Sequence, residues 1–340
     1  MRIKIAKKSF MQSFSIICTM LFSIVGYAQS SWSDYAPARN IIWEEKLEHQ
    51  IGFLTDSLCQ GRATGTRGGV EAATWIAREF DRIGLQKTDG SWFRSFKTEN
   101  DLVGHNVLGI MSGSDKSGYG KYVIVGAHFD HIGILNGRHY PGADANASGV
   151  VAMINIAEML ASMRLTGKNY PYSVIFIGFD GYETDKAGSK EIWRMISEGE
   201  ITDPATGMPI RPDQISLMVN IDQIGASLSP LRPDRPDYII MLGNNRLKPA
   251  KRDKLYTCNR LYITHLDLGF DYYGSENFTN IFYRLSDQRV FIDNGIPSIL
   301  FTSGITMKTN KTHDNAASLD YPVFKKRILL MFHWIENMLF

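Results

Sequence analysis

The 340-residue sequence is poor in cysteine, with three, and shows neither an internal repeat nor a low-complexity tract. Three thiols are too few for a disulfide framework, and the absence of a 20 to 50 residue period excludes solenoids and propellers. An excess of charge of one sign is missing too. Lys and Arg number 37 against 35 Asp and Glu, a net charge of +2, with no basic stripe interleaved with aromatics. Nucleic acid is therefore not an expected partner. What is abundant is apolar surface: 44% hydrophobic and 11% aromatic residues exclude a disordered chain and can fill a large core.

The first residues read as a targeting segment. Arg2, Lys4, Lys7 and Lys8 form a basic start, Phe10 to Val25 is mostly apolar, and Gly26 and Ala28 offer small residues for cleavage. Residues 1–28 are thus expected to be a signal peptide and 29–340 a catalytic-type domain, exported to the periplasm or secreted, with no membrane attachment afterwards. A retained anchor is disfavoured because Gln12 and several serines interrupt a barely sufficient run, and Cys18 follows Ile17 rather than the small residue of a lipid-attachment site. Cleavage leaves Cys59 and Cys258, which either pair or remain buried thiols.

Apolar residues recur at helical spacing over Asn40–Leu58 and Val70–Ile83, on either side of the glycine-rich stretch "CQGRATGTRGG". Strand-like runs follow at "HNVLGIM", "YVIVGAHFD", "YSVIFIGFD", "SLMVNIDQIG", "DYIIMLG" and "PSILFTSG", with helical stretches at Gly149–Ala161, Lys186–Ser197 and Pro322–Met338. Continuously apolar strands alternating with helices predict an α/β sheet covered on both faces. The proline-rich "SLSPLRPDRPD" reads as a surface loop.

Ligand-binding groups in such sheets collect at the carboxyl ends of the strands. There the sequence places His128, Asp130 and His131, then Asp180 and Glu183, then Asp222, and in the loop after the last run His313. Singly, each also fits a structural histidine, a helix cap or a turn former. Together, imidazoles and carboxylates from separate strands point to a transition metal, zinc first.

The ordered motifs "GAHFDHIG", "YPGADANASGV", "FDGYETDKAGS", "NIDQIG", "SDQ" with "GIP", and "THD" resemble the zinc-dependent aminopeptidases of peptidase family M28, which include glutaminyl cyclase and glutamate carboxypeptidase. The resemblance runs from about Leu47 to the C-terminus. It implies a three-layer α/β/α sandwich with a mixed, mostly parallel sheet, the phosphorylase/hydrolase-like zinc-exopeptidase fold, acting on peptide or protein N-termini with up to two zinc ions. By the same resemblance His128 and Asp222 hold one ion, Glu183 and His313 the other, and Asp130 fixes the His128 tautomer.

Two positions depart from the family pattern. Its bridging Asp is replaced by Ala145, with Asp144 one residue away and directed elsewhere by the alternation of the backbone. Its general-base Glu is replaced by Tyr182, whose phenol, with an ordinary pKa near 10, is a poor base at neutral pH. Asp180 and Asp185 are the nearby acids available as substitutes, and Gln288 stands where the pattern has His. The expectation is an impaired or non-catalytic centre holding one zinc or none. The alternatives are a non-catalytic peptide-binding or protein-binding pseudopeptidase and a glutaminyl-peptide cyclotransferase. Oligomeric state is not readable.

Overall fold

The structure, a computed structural model, describes residues 34–115, 120–227, 236–272 and 274–340. The expected signal peptide, Tyr273 and most of the proline-rich loop lie outside the described residues.

The described residues form ten strands: β1 (Phe93–Lys97), β2 (Val103–Met111), β3 (Tyr122–His128), β4 (Gly133–Leu135), β5 (Arg138–Tyr140), β6 (Ser173–Phe179), β7 (Ile215–Ile221), β8 (Tyr238–Leu242), β9 (Asp267–Gly269) and β10 (Ser298–Thr302). Eight make one sheet in the order β1-β2-β6-β3-β7-β10-β8-β9, and β4 pairs with β5 as a separate hairpin. The inner strands β6, β3, β7 and β10 run parallel, and antiparallel pairs join β1 to β2, β2 to β6 and β10 to β8. This is the mixed, mostly parallel sheet that the sequence predicts.

The helices are α1 (Ala36–Arg39), α2 (Glu44–Thr55), α3 (Arg67–Ile83), α4 (Ser148–Leu165), α5 (Ala187–Ser197), α6 (Pro249–Leu261), α7 (Glu276–Tyr283), α8 (Gln288–Asp293) and α9 (Tyr321–Glu336). Alternating strand residues divide the core in two, as the pleat requires. Val123, Val125 and Ala127 of β3 join the cluster beneath α2, α3, α4, α6 and α9, while Tyr122 and Ile124 join Ile192, Ile196 and Phe291 beneath α5 and α8. Helix α4 is apolar on nearly every side because α1, α2, α3 and α9 pack around it against the sheet. That burial explains why residues 143–165, α4 with the turn that leads into it, form a segment long and apolar enough to cross a membrane.

Local chemistry fixes the helix ends. The Thr66 hydroxyl accepts from the Gly69 amide at the start of α3, Gly84 closes that helix at φ 82°, and Asp320 caps α9 ahead of Pro322. Cys59 and Cys258 are free and buried, so of the two alternatives the structure has the thiols. Burial pushes them up to about 11 and about 12.

Candidate metal centre

Strands β3, β6, β7 and β10 are parallel, so their carboxyl ends face the same way and bring His128, Asp180, Asp222 and Thr302 to one rim of the sheet. His128 is buried. Its Nδ1 donates to the main-chain oxygen of Asp130 at 3.0 Å, and its Nε2 lies 3.4 Å from Asp222 Oδ1. Burial opposes charge on this imidazole, but Asp222, Asp130 and Asp287 outweigh it and lift its pKa to about 9. His128 likewise holds Asp222 below the ordinary carboxylate range against its own burial.

Asp130 holds the site by a different route from the expected one. Its carboxylate is 3.8 Å from His128 Nδ1, beyond hydrogen-bond reach, so the carbonyl rather than the side chain fixes the tautomer. The carboxylate instead accepts the amides of Tyr182 and Glu183, each at 3.0 Å, and so positions the turn after β6. Burial and the adjacent Asp180 push Asp130 up to about 8.

Tyr182 lies flat on the His128 imidazole, with ring centroids 3.9 Å apart and planes 10° apart. Burial first, then Asp222 and Glu183, drive its phenol well above its ordinary value. Neither nearby acid replaces the missing base. Asp180 accepts from Thr64 Oγ1 at 2.7 Å and from the amides of His105 and Gly181, each at 2.8 Å, while Asp185 points to solvent and pairs with Lys190.

The bridging position is equally closed. Gly142, at φ 59°, turns the chain into residues 143–147, which feed α4. Asp144 is buried, and its Oδ1 accepts from the amides of Gly225 at 2.8 Å and Ala226 at 3.0 Å and from the Ser148 hydroxyl. Its carboxylate thus clamps the loop after β7. Burial and Asp314 lift it to about 7. Ala145 presents a buried methyl group.

The second expected pair does not come together. His313 is exposed on the loop after β10, whereas its neighbour Asp314 is buried and accepts the amides of Asp144 at 2.8 Å and Ala145 at 3.0 Å. Glu183 instead faces His131, with Oε1 3.5 Å from Nδ1. Burial works against the charge on Glu183, yet His131 and His128 hold it below the ordinary carboxylate range. Gln288, where the family pattern has His, is buried and bonds Asn220 and the Tyr283 carbonyl.

Two positioning residues, Asn146 and Arg62, belong to no side-chain motif. Asn146 donates to the carbonyls of His128 and Ile221 and accepts from the amides of Gly149 and Gln223, tying the ends of β3 and β7 together. Arg62, fully buried, donates to the carbonyls of Phe129, Leu54, Pro141 and Gly142. His131 was placed at the strand end but given no role; it is buried, with no hydrogen bond to either ring nitrogen. A lone Arg among glycines, as in "CQGRATG", was the available signal for Arg62.

Beside this rim is a small pocket whose walls include Tyr182, Asp222, Tyr272, Phe282, Leu285 and Ile305. The rings of Tyr272 and Phe282 meet at 3.9 Å, and the Tyr272 hydroxyl accepts the Ile305 amide. The pocket joins one ionised carboxylate to an aromatic and aliphatic wall.

An α/β sandwich with histidine and acidic residues at the parallel strand ends is the architecture of zinc exopeptidases. Residues 106–335 match Peptidase family M28, and the chain belongs to that family. No curated protein matches it. Among solved structures it is similar to the LapA aminopeptidase of Legionella pneumophila, with TM-score 0.67 and 16% identity, covering 90% of this chain and 74% of that one. It is also similar to BSAP, a zinc aminopeptidase from Bacillus subtilis, with TM-score 0.64, 12% identity and coverage of 87% and 95%. Fimbriiglobus ruber glutaminyl cyclase gives TM-score 0.65, 15% identity and coverage of 86% and 95%. At these identities the likeness shows the fold.

Zinc is the metal of the family, and the donor set here does not fit a two-ion centre. Among the described residues no three His, Cys, Asp or Glu side chains form a group able to hold an ion. Only His128 and Asp222 face each other as the pattern requires, and two protein ligands are one short of the usual catalytic zinc site.

Proposed function

We propose that this chain is an exported M28-family protein that binds polypeptide amino termini without hydrolysing them efficiently. The observation that carries the reading is the Tyr182 ring stacked on His128 at the position of the general base. Asp144 supports it, because its Oδ1 accepts the Gly225 and Ala226 amides and so ties the carboxylate to the loop after β7. A missing general base alone costs about 10²- to 10⁴-fold in rate. Loss of a shared carboxylate removes a ligand from both ions as well.

The ligand class follows from the pocket. Asp222 supplies a carboxylate acceptor for an amino group, Tyr182, Tyr272 and Phe282 supply ring faces, and Leu285 and Ile305 supply an apolar floor. A free amino terminus with an apolar first side chain matches all three. The glutaminyl cyclase reading needs the same missing groups, and no residue of the pocket favours it. Export is supported by the basic and apolar pattern of residues 1–28.

The test has two arms: hydrolysis of leucine p-nitroanilide with and without added zinc, and calorimetric binding of short leucine-initiated peptides with free or acetylated amino termini. Binding that needs the free amine, with hydrolysis at least a hundredfold below that of an M28 aminopeptidase, is the expected pattern. Rapid hydrolysis lost on chelation would overturn it.

A further inference from the structure

We infer that the outer ridge of α6, with the turn that follows it, is a docking surface for an anionic phospholipid bilayer. The inference is independent of the pocket and of what the pocket binds.

Residues 246–260 hold six basic residues, Arg246, Lys248, Lys251, Arg252, Lys254 and Arg260, against the single acid Asp253, in a chain whose net charge is +2. Helix α6 sorts them. Its buried residues are Leu255 and Cys258, the Lys251 carbonyl accepts the Trp334 indole of α9, and Lys254 donates to Asn337 at the end of α9. Lys248, Arg252, Tyr256 and Arg260 recur every fourth residue and line up as one ridge about 18 Å long. Lys248, Tyr256 and Arg260 are exposed, and among the described residues no carboxylate pairs with Lys248 or Arg260. Arg252 lies 3.2 Å from its neighbour Asp253, an exposed pair that water and salt weaken. The ridge exists only on the helix, whose apolar period is too faint to announce it, so the linear sequence shows no basic stripe there.

A second feature points to the same partner. Ile263, just beyond α6, stands at φ 56° with 53% of its surface exposed. A β-branched residue in the left-handed region is a costly choice, and here half of the side chain is left in water. The turn holds it in place: the Asn259 side chain accepts the Thr264 hydroxyl at 2.7 Å and the Leu266 amide at 2.9 Å, and donates to the Leu266 carbonyl at 2.7 Å. Tyr256, with its ring against Phe270, is also 53% exposed.

A bilayer surface satisfies both chemistries. Its phosphate headgroups meet the three cations, and its interfacial layer takes up tyrosine and isoleucine side chains. A soluble polyanion such as nucleic acid would use the charges and leave Ile263 in water. Each basic residue near an anionic surface strengthens binding about fivefold, so three give about a hundredfold. The sequence predicts no membrane attachment for the mature chain; this contact is peripheral and uses none of residues 1–28.

The experiment measures co-sedimentation of the mature full-length protein with vesicles of phosphatidylcholine, alone or mixed with phosphatidylglycerol, at about 0.1 M and about 1 M salt. Binding to the mixed vesicles at the lower salt is expected to exceed binding to phosphatidylcholine by about a hundredfold and to be largely lost at the higher salt. Lys248→Gln with Arg252→Gln and Arg260→Gln abolishes that preference. Ile263→Asn, which tolerates the left-handed backbone, weakens binding to the mixed vesicles about fivefold and leaves binding to a short DNA duplex unchanged. Circular dichroism confirms that the variants are folded. Equal binding to the two kinds of vesicle, or a preference that survives the triple substitution, overturns the proposal. Binding to the duplex as tight as to the mixed vesicles, with Ile263→Asn affecting neither, assigns the ridge to soluble polyanions and overturns it. A low-salt dimer, seen by light scattering and abolished by the triple substitution, assigns the ridge to a second copy and also overturns it.

Discussion

Restoring the two lost groups gives a prediction with a magnitude. In the double variant Ala145→Asp with Tyr182→Glu, the new carboxylate starts from the turn beside His128, where Ala145 is 4% exposed, and removal of the Tyr182 ring uncovers a face of the imidazole that it covers at 3.9 Å. His128 and Asp222 then gain a third ligand. Structural zinc sites hold their ion with about 10–16 kcal/mol over four ligands, so each is worth about 3 kcal/mol. At about 1.4 kcal/mol per decade, one added ligand raises zinc affinity about a hundredfold. Because His313 is exposed and Glu183 faces His131, the stoichiometry reaches one ion rather than two. Ala145→Asp alone binds zinc without hydrolysis, and the added Glu raises turnover of leucine p-nitroanilide by about 10²-fold or more. Calorimetric zinc titration of the wild type, both single variants and the double variant is the assay. No gain in zinc affinity would refute the placement of these positions around one centre.

Three further outcomes follow from the same contacts. Arg62→Met removes the side-chain donor from the carbonyls of Leu54, Phe129 and Pro141 and leaves that of Gly142 with the Ala147 amide alone, costing about 3–5 kcal/mol and about 5–8 °C in Tm by calorimetry, and a shift under 2 °C would contradict its positioning role. Above neutral pH, stability falls as pH rises. His128, lifted from 6.5 to about 9, contributes on the order of 3 kcal/mol that is present below pH 6.5 and lost through pH 9, the raised Asp130 and Asp144 act in the same direction from about pH 4 upward, and the lowered His131 and His333 oppose them only below about pH 6.5, so a Tm higher at pH 9.5 than at 7.5 would contradict these shifts. Tyr182→Phe leaves any residual hydrolysis within about twofold, because a phenol with a raised pKa is not the base; a hundredfold loss would show that it is.

The central strands were legible because helices on both faces make their sequences continuously apolar, and the runs at 122–128, 173–179, 215–221 and 298–302 are all strands. Elements with little burial were not. In α6 only Leu255 and Cys258 are buried, so its apolar period is faint, and β1 lies on the sheet edge while β9 has three residues. The family resemblance paired His128 with Asp222, and the two lie 3.4 Å apart because they end neighbouring parallel strands. The pairing of Glu183 with His313 depended instead on the path of a loop that has no periodicity. That loop buries Asp314 as an acceptor for two amides and leaves His313 outside. Arg62 and Asn146 act on main-chain carbonyls and amides, partners that no side-chain motif reveals.

The most direct test is metal content. The mature wild-type protein, equilibrated with micromolar free zinc and dialysed, is analysed by inductively coupled plasma mass spectrometry beside an M28 aminopeptidase control. A centre reduced to His128 and Asp222 is expected to retain less than one zinc per chain. Two tightly held zinc ions per chain would contradict it.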